Sequence, residues 1–401
     1  MMRKIWMAIL ISSFLAVPSA RSGQEEKPDE PAPRHRVINL SLFYPVSMNS
    51  SKHDTANISL SLLYGRLGSV RGFDFSFGAA AVENSLEGVQ LAGLFAVAGE
   101  SLKGGQIAGL FCVAGERGEG FQLAGLGNIA GEEFNGVQVA GLFNIAGERL
   151  NGAQLSWLFN IAGEAAKGLQ SSFLFNVAGD ELDGIQISGL FNVAGEGSRA
   201  FQAACLMNVT GGTCRGLQAG AFNVAGKLTG VQIGLVNVAG EIEGVPVGLV
   251  NLTRKEDRRV QMAVWVGSLT FFNTGIKIWA KRFYSVLYAG YNNLPQNIEK
   301  CIGYGFQYGY AFPLSAYREG HAGKRIEIDA GYVYLDNDTW FNHLEGTPDR
   351  HVLSARGTLA FELAPQVSLI GGVGLGYRID YGTSFSGGHF FPLVFVGIEM
   401  F

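Results

Sequence analysis

The chain has 401 residues, of which 57 are Gly, 47% are hydrophobic and 16% are charged, and its formal net charge is −4. This apolar, charge-poor composition excludes a disordered chain, and glycine without a G-X-Y period excludes collagen. No basic face is visible, so we predict that nucleic acid is not a partner.

The first 22 residues have the pattern of a secretory signal peptide. Arg3 and Lys4 precede an uncharged apolar run, residues 5–17, and small residues follow it. The run is shorter than the roughly 20 apolar residues of a transmembrane helix. A basic start, a short apolar run and small residues at the cleavage region are typical of exported proteins. We therefore predict export, with cleavage between Ser19 and Ser22; the alternative is a buried N-terminal helix.

Two short segments follow the predicted signal peptide. Residues 23–36 are rich in Pro and charge, which predicts a solvated, disordered linker. Residues 37–87 contain three runs of strand length, which we expect to cap the next region, because the ends of a solenoid need caps. The alternative is that these strands join a C-terminal barrel. No other apolar run reaches 18 residues, so a membrane location would require a β-barrel.

A strict repeat occupies residues 88–253. Gln recurs every 16 residues from Gln90 to Gln218, and two steps of 14 residues follow, to Gln232 and Pro246. In the representative unit GVQVAGLFNIAGERLN the side chains alternate with a period of two, which indicates β-strands. Each unit ends in Gly-Glu and a short polar stretch, which supplies a turn. The repeat therefore predicts a repetitive β-structure.

Two architectures can use this unit. In a parallel solenoid each unit is one coil, whereas in an up-and-down meander each unit is one strand. The solenoid is favoured because odd and even units do not differ, and because the 14-residue units lose one residue at each of two places, as a coil with two corners can. In-register stacking would align the Gln and the Asn into ladders. The alternative is one large outer-membrane β-barrel throughout the mature chain.

The turns of the repeat carry an acidic row. Its members are Glu100, Glu116, Glu132, Glu148, Glu164 and Glu196. Neighbouring like charges are unfavourable, and basic residues in the same turns can neutralise them. These basic residues are Lys103, Arg117, Arg149 and Lys167. A row of divalent cation sites is the functional alternative; because no GGxGxD-type calcium repeat is present, we predict a solvated edge and no metal site.

The four cysteines are Cys112, Cys205, Cys214 and Cys301. Export permits disulfides, and Cys205 and Cys214 are close enough in sequence to pair, which leaves their pairing open. Cys112 takes a place that Asn holds in most sibling repeats. No Cys or His spacing indicates zinc.

Residues 260–401 predict an antiparallel β-barrel. Eleven of the 13 Tyr lie there, and about eight strand-length runs alternate apolar or aromatic residues with polar ones, as in residues 304–312, 326–334 and 353–362. Lipid-facing apolar side chains and a polar lumen have this pattern in outer-membrane barrels. A terminal aromatic, here Phe401, is what bacterial barrel-assembly machinery prefers. The alternative is a soluble β-sandwich, whose strands alternate in the same way.

Motifs that carry chemistry are missing from the sequence. GxSxG, HExxH and P-loop patterns are absent, and the Gly-rich run at residues 371–376 lacks the GxGxxG spacing, so we expect a barrel strand there. The densest polar cluster lies in a predicted loop. It contains Asp336, Asp338, His343, Glu345, Asp349 and His351. A metal site or a catalytic base is the functional interpretation and a solvated loop the other. No nucleophile is spaced to partner the His, so we predict no catalytic, cofactor-binding or metal-binding residues.

The reiterated GxQxxGLFNxAG, after a signal peptide and before a β-rich tail that ends in Phe, resembles a family of bacterial surface-repeat proteins first noted in spirochaetes. The resemblance covers roughly residues 37–253, and the two 14-residue units look more like the family's usual repeat than the 16-residue steps do. It implies an exported, envelope-associated protein and supplies no catalytic residues.

Together these observations predict a non-enzymatic protein of the bacterial outer membrane or cell surface. It would present a repetitive β-surface for adhesion or envelope interactions, with outer-membrane lipid as one partner and a second, unidentified partner in the envelope. A pore formed by the whole chain is the first alternative. A small barrel enzyme that acts on envelope lipid, with His343 or His351 involved, is the second.

Overall fold

The computed structural model of the protein describes residues 34–48, 53–254, 260–292, 301–316, 323–336, 350–364, 367–380 and 388–400. It is all-β, with a solenoid of about 13 turns and a closed C-terminal barrel of eight antiparallel strands, which confirms the predicted fold class. In the described part of the chain no helix is long and apolar enough to cross a bilayer. The chain forms two compact units, Met1–Gly212 and Thr213–Phe401.

The first unit begins with short and long strands that precede the strict repeat. They are β1 (His35–Phe43), β2 (Val46–Ser47), β3 (Thr55–Leu67), β4 (Ser69–Ser76) and β5 (Ala79–Val82). β3 pairs in parallel with β4, and β4 pairs with the first repeat strand, with Gly72 opposite Gly88 and Asp74 opposite Gln90. These strands are therefore turns of the solenoid itself. The outermost turn ends in the antiparallel β1–β2 pair.

Each 16-residue unit contains a strand of eight residues and a strand of four, joined by two-residue corners. The eight-residue strands are β6 (Ser85–Ala92), β8 (Ser101–Ala108), β10 (Arg117–Ala124), β12 (Glu133–Ala140), β14 (Arg149–Ser156), β16 (Ala165–Ser172), β18 (Glu181–Ser188) and β20 (Gly197–Ala204). The four-residue strands are β7 (Phe95–Ala98), β9 (Phe111–Ala114), β11 (Gly127–Ala130), β13 (Phe143–Ala146), β15 (Phe159–Ala162), β17 (Phe175–Ala178) and β19 (Phe191–Ala194). β21 (Met207–Cys214) spans the boundary between the units.

Successive units stack in parallel and in register. β12 lies between β10 and β14, so that Gln138 is opposite Gln122 and Gln154, and β13 lies between β11 and β15 in the same way. Two parallel sheets and two corners per turn result, which is the coil predicted from the shortened units. One large barrel is therefore wrong as a description of the repeats, because every repeat folds into a full turn with parallel neighbours.

Side chains that point between the two sheets form two hydrogen-bonded ladders. Gln138 Nε2 donates to Gln122 Oε1 at 2.7 Å, and the Gln of each turn from Gln90 to Gln202 is linked in this way. The Asn ladder runs from Asn128 to Asn208, with one donor–acceptor bond per turn. The ladder amides are fully or almost fully buried. This pairing offsets the free-energy cost of burying the amides, because an unpaired buried amide loses its hydrogen bonds to water.

The two ladders have opposite polarity. Each Gln donates to the turn before it, whereas Asn144 Nδ2 donates to Asn160 Oδ1 in the turn after it, at 2.9 Å. Backbone carbonyls set this polarity, since Asn144 Nδ2 also donates to Leu155 O at 2.8 Å, and a carbonyl only accepts. The rest of this core is apolar. It includes Leu86, Leu102, Phe134, Leu150, Leu182 and several Ala.

Glycine occupies the middle of each eight-residue strand from β6 to β18, and Ala200 takes this place in β20. Gly136 has φ +138°, and a Cβ placed there would lie 1.9 Å from the carbonyl oxygen of Gly120 in the turn before it. The left-handed region and the close approach of backbones both favour glycine. The Gly of Gly-x-Gln therefore sets how closely the turns stack.

The second unit begins with the 14-residue turns. Their strands are β22 (Leu217–Ala219), β23 (Phe222–Leu228), β24 (Val231–Ile242) and β25 (Val245–Thr253). Both ladders are present here, with Gln232 Nε2 donating to Gln218 Oε1 at 2.8 Å and Asn237 Nδ2 donating to Asn251 Oδ1 at 2.8 Å. β24 runs without interruption from one sheet into the other, because the two lost residues are corner residues.

The barrel consists of eight antiparallel strands. They are β26 (Val260–Gly267), β27 (Phe272–Ala280), β28 (Phe283–Asn292), β29 (Cys301–Ser315), β30 (Gly323–Asp336), β31 (Arg350–Ala364), β32 (Val367–Asp380) and β33 (His389–Met400). β26 pairs with β33 and closes the sheet, so the alternative of a β-sandwich is wrong. The Gly-rich run at residues 371–376 lies on β32, as predicted.

Candidate functional site

The outer wall of the barrel is apolar. Alternate residues of each strand point outwards, and the most exposed at mid-height is Val373, at 65%. Other exposed apolar residues of the wall are Met262, Ile276, Leu287, Ile328, Leu353, Leu359, Leu375, Val394, Val396 and Ile398. Water outside a barrel would favour polar side chains at these positions, whereas lipid favours those present.

Aromatic residues form a band at each end of this wall. At one end the Tyr310 ring contacts Phe283 and Phe312, with ring centroids 5.0 and 4.8 Å apart. At the other end Tyr377 and Phe390 contact at 4.8 Å. Aromatic rings concentrate where a bilayer meets water, and two such bands flank the lipid-facing zone of outer-membrane barrels.

The lumen of the barrel holds a charged network. Lys277 Nζ lies 2.7 Å from Glu327 Oε2 and 2.7 Å from Glu399 Oε1, and Arg325 also bonds both carboxylates. β27, β30 and β33 supply these groups, so the network crosses the lumen. Two cations balance two anions, which is what allows charges to be buried at all.

A second ion pair lies next to this network. Arg356 Nε bonds Asp329 Oδ1 at 2.9 Å, and the Tyr284 hydroxyl donates to the same carboxylate at 2.9 Å. Two cavities border these groups, with volumes of 30 and 20 Å³. Each holds about one or two water molecules. At this level side chains fill the lumen, as is usual for a barrel of eight strands.

The two ends of the barrel differ. At one end β27 and β28 are joined by Lys281 and Arg282, β29 and β30 by residues 316–322, and β31 and β32 by residues 365–366; β26 begins and β33 ends at this same end. The connections at the opposite end are residues 268–271, 293–300, 337–349 and 381–388. Two of the three connections at the first end have two residues, whereas three of the four at the opposite end have eight or more. Short turns on one side and longer loops on the other are typical of outer-membrane barrels, in which the short turns are periplasmic.

The last solenoid turn packs on the outer wall at the short-turn end. Ser285 points outwards on β28 but is fully buried beneath this turn. Its hydroxyl donates to Gly248 O at 2.9 Å and accepts from Asn251 Nδ2 at 3.3 Å. The Tyr308 hydroxyl donates to Pro246 O at 2.5 Å. The Asn ladder of this unit therefore ends on a barrel residue.

In the first unit, the outside of the solenoid has two contrasting edges. The corner after each eight-residue strand is apolar, and we call it the leucine edge. It consists of Leu94, Leu110, Leu126, Leu142, Leu158, Leu174, Leu190 and Leu206, with the last two outward residues of the strand before each corner and the outward residues of the strand after it. The opposite corner is the acidic edge. It consists of Glu100, Glu116, Glu132, Glu148, Glu164, Asp180 and Glu196. The predicted acidic row thus exists, and arginines accompany it: Arg117 lies 3.7 Å from Glu132 and Arg149 lies 3.9 Å from Glu164.

The polar cluster predicted as a loop is described only in part. His351 lies on the outer wall, where its ring is 5.8 and 5.4 Å from the rings of Tyr332 and Tyr334. Asp336 ends β30. The other four members, Asp338, His343, Glu345 and Asp349, lie outside the described residues. Where the chain is described, no three His, Cys, Asp or Glu are grouped so as to hold a metal ion.

The four cysteines form no disulfide with any described residue. Cys205 is exposed at a corner of the leucine edge, while Cys214 is buried, so these two do not pair. Burial raises the pKa of the Cys112 thiol to about 12, which makes it unreactive. Cys112 lies in register with Asn128, the first member of the Asn ladder.

Sequence reasoning missed the leucine edge and the pairing partners in the lumen. The leucine edge was visible in the repeat, because both outward residues before and after the corner are apolar in nearly every unit. The lumen pairs join strands far apart in sequence, and no local signal specifies them. No protein-family model, curated protein or solved structure matches this chain.

Proposed function

We propose that the protein is a non-enzymatic outer-membrane protein, in which the barrel is the membrane anchor and the solenoid is a repetitive surface for contacts inside the envelope. One observation carries this proposal: a closed eight-stranded barrel with an apolar outer wall and ion pairs in its lumen. A barrel in water would have the reverse polarity. The signal-peptide pattern of residues 1–22 supports export.

The lumen favours an anchor over a pore. Lys277, Glu327 and Glu399 bridge three strands across the barrel, and opening a channel would leave buried charges without partners. The pore alternative also assumed that the repeats are barrel strands, whereas they are solenoid turns.

The attachment of the solenoid favours the periplasmic side. Its last turn packs at the end of the barrel with short connections, through Ser285 and Tyr308. Because short turns are periplasmic in this class of barrels, the repeats would meet envelope components rather than other cells. The next experiment distinguishes this periplasmic location from one at the cell surface, where the repeats would adhere to other cells.

The test is membrane fractionation with a heat-modifiability gel and protease treatment of intact cells. We expect the full chain in the outer membrane, a mobility shift on boiling, and repeats that proteases reach only after the outer membrane is permeabilised. Cleavage of the repeats in intact cells would show that they lie at the cell surface and would favour adhesion. A chain in the soluble fraction, without a shift, would overturn the anchor.

A matched pair of substitutions tests lipid around the wall. Val373→Arg places a charge at mid-height and is expected to destabilise the inserted barrel by about 2–4 kcal/mol, whereas Thr274→Arg, near the rim, is expected to cost about 0–1 kcal/mol. Both residues point outwards, so a barrel in water would show no such difference. Urea unfolding in vesicles measures both values.

A further inference from the structure

The leucine edge is a continuous apolar strip. In the eight turns from Leu94 to Leu206, no charged residue occupies the corner, the outward positions of the strand after it, or the last two outward positions of the eight-residue strand before it. At about 4.8 Å per turn the strip is roughly 35 Å long. Trp157 and Phe173 are 62% and 55% exposed, and their rings stack at 5.1 Å. An apolar surface of this extent on a soluble protein marks an interaction surface.

The polarity of the turns is that of a molecule at an interface. The leucine edge has no charge, whereas every corner of the acidic edge carries a Glu or an Asp. Amphipathic helices that lie in the plane of a membrane divide their surface in the same way. Charged groups opposite the apolar strip would then face water.

The hydrogen-bonding capacity of the leucine edge indicates whether lipid or another protein covers it. Protein interfaces contain about one hydrogen bond per 100–200 Å². The side chains of the leucine edge offer almost no donors or acceptors; Ser171 and the Trp157 indole are the main ones. Acyl chains require none, so the strip is suited to lipid.

The second unit supplies an independent argument. Its turns have the same corner, where Leu235 and Leu249 are 53% and 36% exposed. The last of these turns packs on the outer wall of the barrel next to Tyr308, whose ring stacks on Phe283 of the aromatic band with centroids 6.2 Å apart. That band lies at the depth where lipid meets water in barrels of this class, so this solenoid corner lies beside the zone that lipid covers.

We propose that the leucine edge of the solenoid is a lipid-binding surface, inserted into the phospholipid leaflet on the periplasmic side of the membrane that holds the barrel. This proposal rests on the proposed function, since the barrel brings the solenoid to the membrane. The leucine edge then contacts acyl chains, and the acidic edge, at the opposite corner of each turn, faces water.

The experiment uses a native residue as the probe. Cys205 is exposed at the leucine edge, and Cys112, Cys214 and Cys301 are buried, so a nitroxide reagent labels the folded full chain at Cys205. The matched control is Glu196→Cys in a Cys205→Ala background, which moves the label to the acidic edge half a turn away. Both proteins are inserted in vesicles of phosphatidylethanolamine with a minority of phosphatidylglycerol. Relaxation by oxygen, which concentrates in lipid, and by a water-soluble nickel chelate reports the surroundings of each label.

We expect oxygen to relax the Cys205 label several-fold more, relative to nickel, than the control label. A Cys205 label open to nickel, in a protein that shifts on boiling, would overturn the lipid proposal and leave the barrel anchor intact. A Cys205 label shielded from both reagents would also overturn it, since a protein, including a second copy of this chain, would then cover the edge. Failure of the chain to insert, with no shift on boiling, would overturn the anchor and the lipid proposal together.

Discussion

The solenoid and the barrel alternate apolar and polar side chains along their strands, yet they bury opposite kinds. The repeats of the solenoid bury amides and aliphatic groups and keep their charges outside, whereas the barrel buries Lys277, Arg356 and their carboxylates and exposes Val373 and Leu375. The repeat explains the difference. Stacked identical turns place each residue against its own copy, so a buried charge would meet a like charge, while an amide donates on one side and accepts on the other. A barrel does not repeat, so it can pair opposite charges.

The largest effect is expected when one charge is removed from the network in the lumen, since this tests whether the barrel depends on its buried ion pairs. Lys277→Met removes one cation and leaves Glu327 and Glu399 to share Arg325. Breaking a buried ion pair by removal of one partner costs about 3–5 kcal/mol. We expect a loss of this size in urea unfolding of the inserted barrel. Lys324→Met, at an exposed position on β30, is the control and should change stability by less than about 1 kcal/mol. Equal effects would mean that the lumen network does not stabilise the barrel.

A substitution in the solenoid tests the close stacking of its turns. Gly136→Ala puts a methyl group into the carbonyl of Gly120 and strains a residue with φ +138°. Strain and overpacking together should cost roughly 2–4 kcal/mol. Hydrogen exchange of neighbouring amides measures the loss. Ala200 occupies the same register in a later turn, opposite Gly184, and provides the control, since Ala200→Gly should cost no more than about 1 kcal/mol.

The N-terminal end of the Gln ladder predicts a dependence on pH. Asp74 is 3% exposed and accepts from Gln90 Nε2 at 3.0 Å; burial raises its pKa, an effect that the hydrogen bonds from Gln90 and Ser59 partly oppose. The folded solenoid thus holds the proton more tightly than the unfolded chain. This contribution to stability is complete below about pH 4 and is lost as the pH rises through the raised pKa.

Asp74→Asn should therefore stabilise the solenoid at neutral pH, and the gain should shrink as the pH falls towards 4. Urea unfolding at a series of pH values measures the gain, and Asp183→Asn, on an outward position, controls for the loss of one surface charge. A gain that does not depend on pH would show that Asp74 is ionised in both states with the same affinity for protons.

The smallest effect is expected where the Asn ladder begins. Asn128 Oδ1 is buried and has no hydrogen-bond donor in the described part of the chain, and Cys112 lies in register with it. Cys112→Asn should donate to Asn128 Oδ1 and to Leu123 O, to which the thiol now donates. A buried hydrogen bond contributes about 0.5–1.5 kcal/mol, so we expect a gain of this size. Cys112→Ala, which cannot donate, separates the hydrogen bond from the loss of the thiol.

Sequence was sufficient for the solenoid because its contacts are periodic. Gln138 meets Gln122 and Gln154 one unit away, so a single spacing specifies every neighbour. The barrel was predicted as a strand count and an alternation, and its ion pairs were not. Lys277 and Glu399 are 122 residues apart, and only closure of β26 on β33 brings their strands into one lumen. The N-terminal strands form the first turns of the solenoid, and β4 stacks there in register without the Gln motif.

The opposite polarity of the two ladders affects how the length of this protein can change. An internal turn accepts one Gln hydrogen bond and donates one, and it does the same with Asn, so adding or removing a whole turn leaves no polar group unmatched. The special residues are terminal: Asp74 receives the last Gln donor, and Ser285 receives the last Asn donor. Recombination between nearly identical repeats can therefore lengthen or shorten the chain without redesign of its ends. Each event changes its reach by about 4.8 Å, the spacing of one β-strand.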